Sequence, residues 1–189
     1  MIEKFEILPR PDAFNANKRY YSSEVLAKAM VEYNELVREG KAIVIIGPPT
    51  EENSLVVDLT KSVGEIVDIE LNDSIYEATI KFDRPTKDIA KLLEDKKSWV
   101  VGLNQLARIN ENFEVSDVKI ISASILPDPR LQIDPMEDLQ YFVDKFKERP
   151  SDHRLRNQIV TLIDAIYTKE KIKSELKNDN EKDWTQENT

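Results

Sequence analysis

"VDIELNDSIYEATIKF", residues 67–82, decides the fold class. Two alternating stretches flank the polar turn "NDS" at 72–74, and the second sets Tyr76, Ala78, Ile80 and Phe82 on one face. A period of two belongs to a half-buried strand, and a short turn between two such strands makes an antiparallel hairpin. Upstream, "AIVII" (42–46) and "LVVDL" (55–59) are rich in branched residues and flank a Gly-Pro-Pro turn at 47–49. Downstream, a helix is expected over 86–96 with Ile89, Leu92 and Leu93 inward. "SWVVGL" (98–103) reads as a buried strand, and "FEVSDVKIISASIL" (113–126) as a long one ended by the prolines of "PDP" at 127–129. The class expected is α+β: a mostly antiparallel, barrel-like sheet of about six or seven strands with helices packed on it.

Helices bracket this body. Ser22 or Ser23 caps the first, Glu24 suits its positive N-terminal dipole, and Gly40 suits the position just past its end. Val25, Leu26, Ala29, Met30, Tyr33, Leu36 and Val37 follow helical spacing. After residue 130 the pattern turns helical for good. Asp134 caps a helix that has Pro135 at its first position and Leu139, Phe142, Val143 and Phe146 inward. A second helix starts near Ser151 with Leu155, Ile159, Leu162, Ile163 and Ile166 inward. These stripes suit packing within the chain, and also suit docking on another subunit. The organisation expected is a barrel domain over 1–130, a helical segment over 131–178 and a flexible polar tail over 179–189.

Composition removes several classes of function. No apolar run approaches the roughly 20 residues that span a membrane, and the N-terminus lacks the basic-then-apolar pattern of a signal peptide. The chain has no Cys, hence no disulfide, thiolate nucleophile or sulfur-ligated metal. A net charge of −9 opposes direct nucleic-acid binding and suits a basic protein partner. Only one histidine, His153, is present, so imidazole chemistry and zinc ligation are poorly provided. No metal or organic cofactor is expected. Ser98, Ser122 and Ser124 stand in strands far in sequence from His153 and read as structural, and His153 itself as a surface or capping residue. The pairs Glu51-Glu52 and Glu94-Asp95 read as solvated turn and helix-end charge.

Three segments, in order, resemble the prohead (head-maturation) serine proteases of tailed bacteriophages. "NANKRYYSSEVLAKAMVEYNELVREG" (15–40) is similar to the family's opening signature, carried here by Asn15, Asn17, Arg19 and Tyr21. "IVIIGPP" (43–49) stands where the family has a strand ending in Gly- or Asn-His-Pro, and "WVVGLNQLARI" (99–109) resembles the strand that presents its serine. The resemblance covers about residues 14–126 and implies a barrel related to herpesvirus assembly proteases. It also implies serine–histidine cleavage of scaffold and capsid proteins in the family. Carried over position by position, the catalytic His falls on Pro48, the nucleophilic Ser on Asn104, and a further family Ser-His pair on Ser62-Val63. Proline can neither accept nor donate a proton, and an Asn amide is not a useful nucleophile at neutral pH.

These substitutions lead to three expectations. The chain is expected not to be an enzyme, its catalytic positions Pro48, Val63 and Asn104 being degenerate and Asn15, Asn17, Arg19 and Tyr21 structural. It is expected in the virion, made in the host cytoplasm, as an auxiliary, cementing or decoration subunit. Its partners would be the major capsid protein and other capsid subunits, with self-association and neither nucleic acid nor membrane. The rival readings are a head-assembly scaffold or regulatory partner of a separate protease, and an active maturation protease with a rearranged site.

Overall fold

The computed structural model describes residues 1–47, 57, 59–84 and 86–186, with side-chain surroundings through residue 170. Six strands form a closed barrel: β1 (Ile2–Leu8), β4 (Ile43–Ile46), β5 (Ser62–Asn72), β6 (Ile75–Phe82), β7 (Trp99–Ile109) and β8 (Val115–Pro127). Around the barrel they run β1-β6-β5-β4-β8-β7. Four neighbouring pairs are antiparallel, while β1–β7 and β4–β8 are parallel. β2 (Ala13–Phe14) and β3 (Tyr20–Tyr21) make a separate two-stranded ribbon. The expected class, a largely antiparallel barrel with packed helices, is the one observed.

The hairpin at 67–82 forms, with Leu71 opposite Tyr76 and Asn72 opposite Ile75 around a turn in which Asp73 and Ser74 have positive φ. β5 nevertheless begins at Ser62, five residues earlier than its alternation suggests. One cause is a bulge at Val67, which interrupts the period of two. Of the strand expected over 55–59, residues 55, 56 and 58 lie outside the described residues, and Leu59 opens a single 3₁₀ turn through Lys61. The sixth wall is supplied instead by β1, where Phe5 and Ile7 point inward and alternate with Lys4 and Glu6.

Gly64 marks a point where strands crowd. A Cβ there would come 2.3 Å from the Lys81 carbonyl oxygen of β6, so only glycine lets β5 approach this closely. Inside the barrel, Phe5, Ile7, Val44, Ile66, Ala78, Ile80, Phe82, Val101, Ala123 and Ile125 close-pack with no exposed surface to speak of.

α1 (Ser23–Arg38) starts where Ser22 Oγ accepts the Val25 amide at 3.3 Å, and stops at Glu39 before Gly40 at φ +65°. Its buried face of Leu26, Ala29, Met30 and Tyr33 belongs to the main core. The helix packs on β8 and β5, the two strands that four-residue β4 is too short to join along their length. α2 (Lys87–Glu94) is capped by Thr86 and buries Ile89 and Leu92.

The β1–β7 seam has only two residue pairs, Ile7–Val101 and Leu8–Gly102. Charge reinforces this end of β1. Arg130, just after β8, donates to Glu6 Oε1 and Oε2 at 2.8 and 2.9 Å and to buried Asp128 at 2.6–3.0 Å, while Arg10 donates to Glu6 from the other side. Burial pushes the Glu6 carboxyl up, but the hydrogen bonds from Arg10 and Arg130 outweigh it and hold the group below its ordinary value. The Asp128 hydrogen bond, opposed by burial and joined by Glu6, fixes the Arg130 guanidinium in its charged form.

The second compact unit spans residues 133–189. α3 (Pro135–Glu148) is capped by Asp134, which accepts the Met136 amide at 2.9 Å, and it packs on α4 (His153–Gln186). Among the described residues, Phe142, Leu155 and Leu162 are its buried side chains. One expectation changes here. Ile163, expected inward, is exposed, because it lies about 100° around the helix from buried Leu162. α4 continues to Gln186.

Candidate functional site

The two longest strands of the barrel, β7 and β8, carry the residues of interest. Register places Asn104 opposite Ser122 and Gly102 opposite Ser124, so these four positions share one face of the strand pair. Asn104 Nδ2 donates to Ser122 Oγ at 2.9 Å and to Ser124 Oγ at 2.7 Å. The three side chains are 8%, 4% and 0% exposed. A primary amide has two donors, and both are used here. The register slips between Asn104 and Gln105, leaving Ile121 unopposed, a bulge of the kind that re-aims side chains.

The neighbouring Gln105 reaches the opening signature. Its Nε2 donates to Tyr21 Oη at 2.6 Å, while its Oε1 is buried and has no partner among the described residues. Tyr21 is itself buried, which raises its phenol pKa, opposed by the charge of Arg19 and by the bonds from Gln105 and Arg19. Asn15 organises the turn between β2 and β3. Its Oδ1 accepts the Arg19 amide at 3.0 Å, and its backbone N–H donates to the Arg19 carbonyl at 2.9 Å. Lys18 takes φ +60° in that turn, and Asn17 is exposed. Asp12 caps onward, accepting the Ser23 amide at the start of α1. The signature thus ties the entry of α1 to the strand that holds Asn104.

The remaining sequence-derived positions are not gathered here by strand pairing. Pro48, and Pro49 beside it, lie outside the described residues. Val63 is half-buried on β5, the unopposed residue where the β4–β5 register shifts, and β5 is separated from β7 by β4 and β8. Ser98 closes the 3₁₀ turn Lys96–Ser98, and its carbonyl accepts the Asp128 amide at 2.8 Å. His153 is exposed at the first position of α4, in the second unit. Sequence reading treated Ser122 and Ser124 as isolated strand serines. The two-residue spacing that points both to one face, across from Asn104, was the available signal, but their register with β7 was not.

A solved structure has this architecture. The bacteriophage T4 capsid assembly protease, gp21, superposes with a TM-score of 0.51 at 20% sequence identity, over 67% of this chain and 82% of that one. The fold resembles that of a phage capsid assembly protease. No protein-family model and no curated protein sequence matches the chain. The likeness supports the fold that the opening signature implied, and it overturns one expectation. The chain was read as no enzyme, a pseudo-protease, from Pro48 and Asn104; the solved structure that it resembles is that of a capsid assembly protease, so the fold is a protease fold and does not support that reading. Sequence position alone was a poor basis for it, because catalytic groups are recognised by geometry, and two serine hydroxyls converge on Asn104. Among the described residues no helix is long and apolar enough to cross a membrane.

Proposed function

We propose that this chain acts in the assembly of a phage head, binding the major capsid protein and staying with the shell as an auxiliary subunit. What carries the reading is the barrel's likeness to a capsid assembly protease, joined to the "NANKRYY" signature at 15–21. A protein that works on capsid precursors has to recognise them, and recognition requires only a surface of suitable shape and charge. The net charge of −9 suits basic patches on a shell protein better than packaged DNA. In this reading Asn104, Ser122 and Ser124 lock β7 to β8.

The test is mass spectrometry of purified proheads and mature particles, with this chain quantified against the major capsid protein. An intact chain at fixed stoichiometry in mature particles is the expected result. Presence in proheads followed by loss would replace the reading with an assembly-stage scaffold or regulator. Absence from both would overturn it.

The convergence of Ser122 and Ser124 on the strand that resembles the family's nucleophile strand favours a second reading, a maturation protease with a rearranged site. Incubation with capsid and scaffold substrates decides it. Cleavage abolished by the paired substitutions Ser122→Ala and Ser124→Ala would establish this reading, and intact substrates would remove it.

A further inference from the structure

α4 is 34 residues long, about 51 Å at 1.5 Å per residue, against 14 residues for α3, the helix it packs on in its own unit. Among its described residues Leu155 and Leu162 are buried. A different face, turned about 100° away, is apolar and open: Val160 is 51% exposed, Ile163 41% and Tyr167 73%. Spacings of three and four put these side chains in one stripe. Arg156 and Glu170 continue the stripe at its two ends, each seven residues from Ile163, and both are exposed. Neither has an ion-pair partner among the described residues.

We infer that this face pairs with the same face of a second copy, the two α4 helices antiparallel about a two-fold axis at Ile163. A two-fold interface presents one patch to itself. With Ile163 on the axis, Arg156 of each protomer falls opposite Glu170 of the other, and Val160 opposite the neighbourhood of Tyr167. The symmetry of the charges about Ile163 selects this arrangement. A parallel pair would set Arg156 against Arg156 and Glu170 against Glu170, and like charges in register oppose association. Three apolar side chains per protomer make a small contact, well short of the roughly 800 Å² per partner of a standard interface, so the dimer is weak and concentration-dependent.

The inference is independent of what the barrel does. Its test is sedimentation velocity on the intact chain over a wide concentration range. Wild type should show a reversible monomer–dimer equilibrium that weakens with salt. Arg156→Glu or Glu170→Arg alone should raise the dissociation constant about tenfold, and the two together should restore it, since the exchanged charges again face opposite signs. Because the chain has no Cys, Ile163→Cys introduces a single thiol on the axis, which should form an inter-protomer disulfide under mild oxidation. Circular dichroism shows whether each variant keeps its helices. A monomer at every concentration, a dimer indifferent to both charge reversals, or a double variant no better than the singles would overturn the proposal.

Discussion

Asn104 Nδ2 donates to Ser124 Oγ at 2.7 Å, across two strands and 20 residues of sequence, inside a face from which water is excluded. The same amide also serves Ser122, so removing it strands two buried hydroxyls at once. Asn104→Ala should lower unfolding free energy by about 2–4 kcal/mol, roughly 1–2 kcal/mol for each hydroxyl left unmatched. Ser122→Ala, which leaves the Asn104–Ser124 bond intact, should have a smaller effect. Urea unfolding of the three proteins checks the order, and an Asn104→Ala protein as stable as wild type would show that the cluster is not a lock.

Gly64 and Gly102 should answer alanine differently. At Gly64 the added methyl meets a backbone oxygen at 2.3 Å, and the β5–β6 ladder has to move. At Gly102 it meets the Cδ2 of Leu126 at 2.5 Å, the far end of a side chain that can turn. Overpacking against backbone should destabilise Gly64→Ala by about 2–3 kcal/mol, with Gly102→Ala at about 1 kcal/mol or less. Thermal melts of the two variants compare them directly.

Two buried tyrosines make opposite predictions for the loss of a hydroxyl. Tyr21 Oη is the acceptor for Gln105, whereas Tyr33 Oη is buried with no partner among the described residues. Tyr21→Phe should cost about 1 kcal/mol, while Tyr33→Phe should be neutral or stabilising, since an unmatched buried hydroxyl is already a penalty. Burial raises the pKa of both phenols. The folded protein binds those protons more tightly than the unfolded chain, so their contribution is complete below the ordinary phenol value near 10 and is lost as pH rises through the raised values. Alkaline unfolding, followed with the 295 nm phenolate band, should show ionisation coinciding with loss of the fold.

Glu6 sets the acid side. Its folded pKa lies below the ordinary glutamate value of 4.5, held there by Arg10 and Arg130 against the effect of burial. A depressed carboxyl contributes stability that is present above its unfolded pKa and disappears as pH falls through the folded one. Stability should therefore drop below about pH 4.5, and Glu6→Gln should flatten that part of the pH profile. An unchanged acid limb in Glu6→Gln would place the sensitive carboxylates elsewhere.

Local chemistry made the helices and the hairpin readable. Ser22, Thr86 and Asp134 each cap the helix that follows, because cap geometry is settled within a few residues. The alternation through Tyr76, Ala78, Ile80 and Phe82 likewise shows in the sequence which face of β6 is buried. β1 escaped because "MIEKFEIL" has only Phe5 and Ile7 fully buried in seven strand residues, too short a run for alternation to stand out. The early start of β5 escaped because the bulge at Val67 breaks the period.

What the sequence determined by itself is the material: capped amphipathic helices, alternating strands, an acidic chain without Cys, and a signature resembling that of the prohead proteases. What only the tertiary structure decided is which distant residues meet. Closing the barrel brings Glu6 to Arg130 over 124 positions and Tyr21 to Gln105 over 84. Pairing β7 with β8 turns two ordinary serines and an asparagine into one buried cluster. The reason is physical. Periodicity and capping are set by neighbours along the chain, whereas strand register and order are set by the one arrangement that buries all the inward faces together.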